Sequence, residues 1–259
     1  MVPTLLSARE GATLVLTLSN PGMRNALGHE VYGPLRQAFE QAGTDSTLRA
    51  IVLTGADGVF SAGGNLRRMR DNREKPAAVQ EASLDKVNAV IQALVSCSKP
   101  VIAAVEGAAA GAGLSLAMAC DLVVAGEGAK FAMAHVRVGL SPDAGGTWFA
   151  ARHLPRQAAA ELLLEGEAWS AARMQQLGLV NRVVPDGSAL VSALEHAQRI
   201  AALSPHAVGR IKALLAAAAV QPLAAQLESE KDSFIACLYH ADGGEAIASF
   251  LEKRPARFS

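Results

Sequence analysis

From residue 13 to residue 125, short apolar runs of strand length alternate with stretches whose apolar residues return every three or four positions. Residues 13–18, 50–54, 101–105 and 122–125 read as strands, the first closed by the turn chemistry of Asn20-Pro21-Gly22. Residues 28–42, 82–95 and 112–119 read as helices. Val31, Leu35, Ala38 and Phe39 share one face of the first, and Leu84, Val87, Ile91, Leu94 and Val95 one face of the second. Strands that are apolar throughout are buried on both sides. The chain is therefore expected to be α/β, with mostly buried sheets.

The pattern changes after about residue 155. Pro155 and Pro205 suit first helical positions, Ser204 and Ser170 suit N-caps, and residues 180–184 read as one last strand. From residue 189 onward the chain reads as helices rich in Ala and Leu.

Lys and Arg total 24, balanced by 24 Asp and Glu, for a net charge of zero. That excludes the broad basic field that nucleic acid or an acidic membrane surface requires. The most apolar stretch, 101–125, contains Glu106, Ser115 and Asp121 and does not read as a membrane span. Three cysteines without a CxxC (Cys97, Cys120, Cys237) read as core thiols in a reducing compartment, and no signal peptide is evident. A cytoplasmic location is expected. Neither HExxH nor paired CxxC is present, so no metal site is expected.

Two loops carry chemistry. The first, Gly58-Val59-Phe60-Ser61-Ala62-Gly63-Gly64-Asn65-Leu66, follows a strand, and its glycines let a ligand approach the main chain. Taken alone it is equally an ordinary strand-to-helix turn. The second, Glu106-Gly107-Ala108-Ala109-Ala110-Gly111-Ala112-Gly113-Leu114-Ser115, opens a helix whose free N–H groups suit a developing negative charge. Tight helix–sheet packing would favour the same small residues. A nucleotide loop is excluded by the lack of GK[ST] and GxGxxG.

Together these segments resemble the crotonase (enoyl-CoA hydratase/isomerase) superfamily. The resemblance lies in N-P-x-x-x-N-A-L at 20–27, F-S-A-G-G-N-L at 60–66, V-E-G-A-A-A-G-A-G-L-S-L-A-M-A-C-D at 105–121, V-G-L-S-P-D-A-G-G-T at 138–147 and F-L-E-K-R-P-A-R-F at 250–258. It implies a spiral core of stacked ββα turns (1–195) and a C-terminal helical region (196–259) that packs chains into trimers or dimers of trimers. By position it puts oxyanion donors at the amides of Ala62 and Ala112, around an acyl-CoA thioester oxygen. No tightly bound cofactor is implied; coenzyme A arrives with the substrate. Its contacts would be Arg24, Ala26, Leu27, Ala62, Gly64 and Leu66. Lys253, Arg254 and Phe258 would complete the site from a neighbouring subunit, unless they form a solvated basic tail.

Where hydratases of the family carry two glutamates, this chain has Ser115 and His135. Ser115 either hydrogen-bonds a water or substrate oxygen, or is a small residue tucked beside the substrate. Asp143 is the notable carboxylate. A carboxylate in an apolar pocket is a stronger base than one in water, so Asp143 is expected to move a proton between acyl carbons. By residue type alone it also suits a helix N-cap. His135 is either a partner of Asp143 or a structural histidine. Glu106 and Asp121 read as structural. Residues 67–80, polar and containing Pro76, read as a mobile segment that sets pocket depth. The favoured reaction is double-bond isomerisation. The alternatives are hydration, then thioester hydrolysis or dehalogenation; a non-catalytic binding protein of the same fold is the reading from a different class.

Overall fold

The computed structural model describes residues 3–258. Its main sheet has six strands in the order β1-β2-β3-β4-β6-β9, formed by β1 (Thr4–Glu10), β2 (Thr13–Ser19), β3 (Ala50–Gly55), β4 (Val101–Val105), β6 (Leu122–Gly126) and β9 (Arg182–Val184). β1 and β2 pair antiparallel, and the other neighbours pair parallel. A second sheet of three short strands, ordered β5-β7-β8, comprises β5 (Ala108–Ala110), β7 (Lys130–Ala132) and β8 (Trp169–Ser170). This is the α/β, crotonase-like architecture expected from the sequence.

Both faces of the central strands β3 and β4 are dry. Ile51 and Leu53 of β3, with Val101, Ala103 and Val105 of β4, point into the larger core. That core is closed by α1 (His29–Thr44), α3 (Ala77–Ser96) and α4 (Ala112–Ala119). Ala50, Val52, Ile102 and Ala104 point the other way, onto Ala189, Ala193 and Ala197 of α8 (Ala189–Ala201). Alanines four residues apart form a smooth stripe on a helix, which lets it lie close on the sheet. Glu106 fixes the start of α8 by accepting the Ala189 N–H at 2.9 Å. The expected division at 195/196 falls inside this helix, so the sheet-packed part of the chain runs on to its end.

Asp121 is structural too. It accepts from the Val101 N–H and from the Lys212 ammonium, both at 2.7 Å. Ser170 and Ser204 cap helices as expected: Ser170 accepts the N–H of Arg173 in α7 (Ala171–Gln176), and Ser204 that of Ala207 in α9 (Pro205–Ala218). Pro155 sits one residue earlier than expected, as the N-cap of α6 (Arg156–Glu165).

Residues 67–80 are more ordered than expected. α2 (Leu66–Asn72) begins at Asn65, whose side chain accepts the Arg68 N–H at 3.1 Å. The Asn72 side chain then donates to Gln80 in α3 at 2.9 Å, tying the two helices together.

The C-terminal helices α9, α10 (Leu223–Leu238) and α11 (Ala241–Leu251) leave large apolar side chains exposed, among them Leu215, Leu223, Phe234 and Phe250. Among the described residues no helix is long and apolar enough to cross a membrane.

Candidate active site

The two loops run side by side. Ser61 N–H donates to Ala108 O at 2.9 Å, and Ala110 N–H donates to Ser61 O at 2.9 Å, so the first loop extends the small second sheet. The 20–27 segment clamps this junction. Asn25 is 3% exposed and adopts φ 55°, a left-handed conformation that asparagine tolerates better than most residues. Its side chain accepts the Asn20 N–H (2.9 Å) and donates to Ala56 O (2.8 Å) and Val59 O (2.6 Å). The Ser61 hydroxyl donates to Asn25 O at 2.8 Å.

This clamp decides which amides are free. Ala62 was expected to supply an oxyanion donor, but its N–H donates to Arg24 O at 2.9 Å. It is held in the loop and has no hydrogen to offer a ligand. The Gly63 N–H is also occupied, donating to Ser61 Oγ at 3.1 Å. Gly64 is next in line, and among the described residues its N–H donates to nothing. The Ala112 N–H, at the first turn of α4, is likewise without an intrachain acceptor, as helix geometry dictates. The turn between them is tight: a methyl group on Gly63 would lie 3.1 Å from Ala112 N and 2.4 Å from Ala110 O. Gly64 in the first loop and Ala112 at the start of α4 therefore each carry an uncommitted amide.

Two neighbouring spaces share Gly64 in their lining. A groove of about 390 Å³ is lined by Arg24, Ala26, Ala62, Gly64, Leu66, Arg67, Gly111 and His135, among others. Behind it lies a chamber with about 20 Å³ of open volume, lined by Leu27, Tyr32, Gly64, Met69, Ser83, Leu84, Val87, Ala112 and Asp143, among others. Gly64, Asn65 and Met69 line both spaces. The end of the Met69 side chain packs against Gly64: its Cε would stand 2.5 Å from a methyl placed there.

Asp143 reaches the chamber from an irregular turn. Ala144 (φ 49°) and Gly145 (φ 77°) are both left-handed there. The N-cap of α5 (Gly146–His153) is Gly145, without a side-chain cap bond, so the capping role open to Asp143 is not the one it takes. Its main-chain carbonyl instead receives Gly146 N–H at 2.9 Å and the Ser115 hydroxyl at 3.1 Å. Its carboxylate Oδ1 is buried without a hydrogen-bond partner. His135, on the short 3₁₀ turn Ala134–Val138, brings Nε2 to within 3.3 Å of that oxygen, outside hydrogen-bond alignment.

Ser115 is fully buried and absent from the lining of both spaces. Its hydroxyl is directed to the Asp143 main-chain carbonyl, so Ser115 meets the Asp143 turn from behind. Lys253 and Phe258 do not line the groove within one chain. Arg67, Met69, Tyr32 and Ser83 were not foreseen. Arg67 and Met69 lie in the segment read as mobile, and Tyr32 interrupts an apolar helix face, the one local sign it offered. Burial, reinforced by the negative charge of Asp143, pushes the Tyr32 phenol up to about 12. Among the described residues no group of His, Cys, Asp and Glu side chains is placed to hold a metal ion.

A family model described as enoyl-CoA hydratase/isomerase matches residues 8–259. The 2,3-dehydroadipyl-CoA hydratase of Escherichia coli K12 is 37% identical over 98% of both chains. The 1,2-epoxyphenylacetyl-CoA isomerase of the same organism is 35% identical over 100% of this chain and 99% of its own. A crystal structure of an enoyl-CoA hydratase from Polaromonas sp. JS666 superposes with a TM-score of 0.97 at 49% identity, covering 98% of this chain and 99% of that one.

Proposed function

Because the chain belongs to the enoyl-CoA hydratase/isomerase family, we propose that it isomerises the double bond of an enoyl-CoA thioester, with Asp143 carrying the proton. The observation that supports this is the composition of the chamber. Asp143 is the one carboxylate among its described lining residues, and Gly64 and Ala112, whose amides are uncommitted, line the same space.

In this reading the thioester oxygen lies between the Gly64 and Ala112 N–H groups. The Asp143 carboxylate removes a proton from the carbon beside the thioester of a 3-enoyl chain. The electron pair spreads through the double bond and onto the thioester oxygen, giving a dienolate. The same carboxyl group returns the proton two carbons further along, which leaves the 2-enoyl thioester and a free carboxylate. Negative charge on the oxygen peaks in the transition state, so fixed amides there lower the barrier more than they tighten binding. Each such donor contributes about 2.7–4 kcal/mol by analogy with measured oxyanion holes.

Coenzyme A would lie along the groove, with Arg24 and Arg67 offering charge to its phosphates and Ala26, Leu66 and Ala62 against its length. Leu27 would stand at the acyl end. Lys253 and Phe258 would act from a second subunit. The exposed apolar side chains of α9–α11 are the surface for such a trimer, or a dimer of trimers. Light scattering of the purified protein tests that assembly.

Hydration is the second reading. It is favoured by the His135–Asp143 contact of 3.3 Å, since two such groups can share and orient one water. Incubation with 2-enoyl-CoA and with 3-enoyl-CoA, followed by mass and absorbance, separates the two reactions. Isomerisation conserves mass, whereas hydration adds one water. Isomerisation as the main reaction is wrong if the only product is heavier by one water.

A further inference from the structure

The chamber contains more hydrogen-bonding capacity than a plain hydrocarbon chain can use. Leu27, Leu84 and Val87 give it apolar walls, but Tyr32 of α1 and Ser83 and Gln80 of α3 also line it. Tyr32 is 8% exposed and Ser83 is 9% exposed. Among the described residues neither hydroxyl donates to another group of the chain. Gln80 accepts from the Asn72 side chain through Oε1 at 2.9 Å, which leaves its Nε2 donors unused. Covering these groups with alkyl chain would remove them from water and supply no acceptor in exchange, which disfavours binding.

The charge around the chamber narrows the choice of acceptor. Arg68 also lines it, but its guanidinium is paired with Glu30 at 3.1 Å. The remaining charge facing the chamber is that of Asp143. An anionic tail would meet this carboxylate without a free cation to offset it. A neutral oxygen meets no such penalty. The Tyr32 phenol, pushed up to about 12, stays protonated and remains a donor at neutral pH.

We propose that the Tyr32 hydroxyl, with Ser83 and the Gln80 amide beside it, recognises a neutral oxygen on the acyl group, so that the preferred substrates are acyl-CoA thioesters bearing a keto or hydroxyl group beyond the reacting carbons. This rests on the acyl-CoA reading given above and adds the substrate class to it. Met69, which lines both groove and chamber, is the flexible element that makes room, since a thioether side chain can turn aside at small cost.

The test is calorimetric binding of three non-reacting thioesters of equal chain length, hexanoyl-CoA, 5-oxohexanoyl-CoA and adipyl-CoA, to the wild-type protein and to Tyr32→Phe. The wild type is expected to bind the oxo compound roughly fivefold more tightly than the plain one, with adipyl-CoA weaker than the oxo compound. Tyr32→Phe is expected to bring the oxo-to-plain ratio close to one. Ser83→Ala reads the same ratio if Tyr32→Phe does not fold. A wild-type ratio near one, a ratio unchanged in a folded variant, or tightest binding of adipyl-CoA overturns the proposal while leaving the acyl-CoA reading intact. Failure of all three thioesters to bind overturns both.

Discussion

The Ser115 hydroxyl donates to the main-chain carbonyl of Asp143 at 3.1 Å, joining α4 to the turn that carries the carboxylate. α4 is also the helix whose first amide, Ala112, is free. One element thus positions both the proposed oxyanion donor and, through Ser115, the proposed proton carrier. The packing leaves no slack: a methyl on Gly146 would stand 2.9 Å from Ser115 Oγ.

Removing that link should disturb geometry, not binding. Ser115→Ala is expected to lower kcat roughly fivefold, the equivalent of about 1 kcal/mol for one hydrogen bond, with KM little changed. Steady-state kinetics on the best enoyl-CoA checks this. A rise in KM at constant kcat would mean that Ser115 contributes to binding.

Asp143→Asn keeps the shape of the side chain and removes its basicity. Turnover is expected to fall by about 10²–10⁴-fold, the range for loss of a general base. Acyl-CoA affinity, measured by calorimetry, should stay within a few-fold of wild type. Undiminished turnover by the variant would rule out the proton-carrier role.

The two adjacent glycines of the first loop should respond differently to a methyl group. Gly63 has φ +83°, and its added methyl would strike the main chain at Ala110 O. Gly63→Ala is expected to cost at least ~2 kcal/mol of stability and most of the activity. The methyl in Gly64→Ala meets the mobile end of Met69, so its stability loss should be smaller. Urea titration of both variants gives the order, and the reverse order would contradict the loop geometry described here.

Asn25→Ala strands the Asn20 N–H and the carbonyls of Ala56 and Val59. It also places alanine at a φ of 55°. Together these should destabilise the fold by about 3 kcal/mol or more. Chemical denaturation measures it; a loss under about 1 kcal/mol would mean that the clamp is not needed.

Stability should fall on mild acidification. Burial lowers the pKa of His196, helped by Arg199 and Arg182, and also lowers that of His206, helped by His240, whose ring stacks on it at 4.1 Å. The unfolded chain takes up protons near pH 6.5, while the folded chain resists doing so until lower pH. Stability present above about 6.5 is therefore lost as the pH drops below it. Carboxylates held low, such as Glu245, pushed down to about 2 by Arg254, lose their contribution only further into acid. A melting temperature that stays flat or rises between about pH 7.5 and pH 5.5 would contradict this; His196→Gln should flatten the fall.

Much of the scaffold was legible locally. β4 and α4 stand where their apolar patterns put them, because burial on both faces of a strand or around a core helix leaves a continuous signature. β1 carried no such signature, since six of its seven residues are exposed and it is held by pairing with β2. α2 was hidden in a polar stretch whose order depends on the Asn65 cap and the Asn72–Gln80 bond.

By itself the sequence determined the α/β class, the two glycine-bearing loops and the importance of Asp143 as a candidate. Tertiary structure alone decided that Gly64, not Ala62, has the free amide, because the Arg24 carbonyl that occupies Ala62 comes from a turn distant in the chain. It likewise turned Ser115 toward the Asp143 carbonyl and placed Tyr32 in the lining of the chamber. Periodicity records whether a residue is buried; which atom it meets is settled only when separate segments pack together.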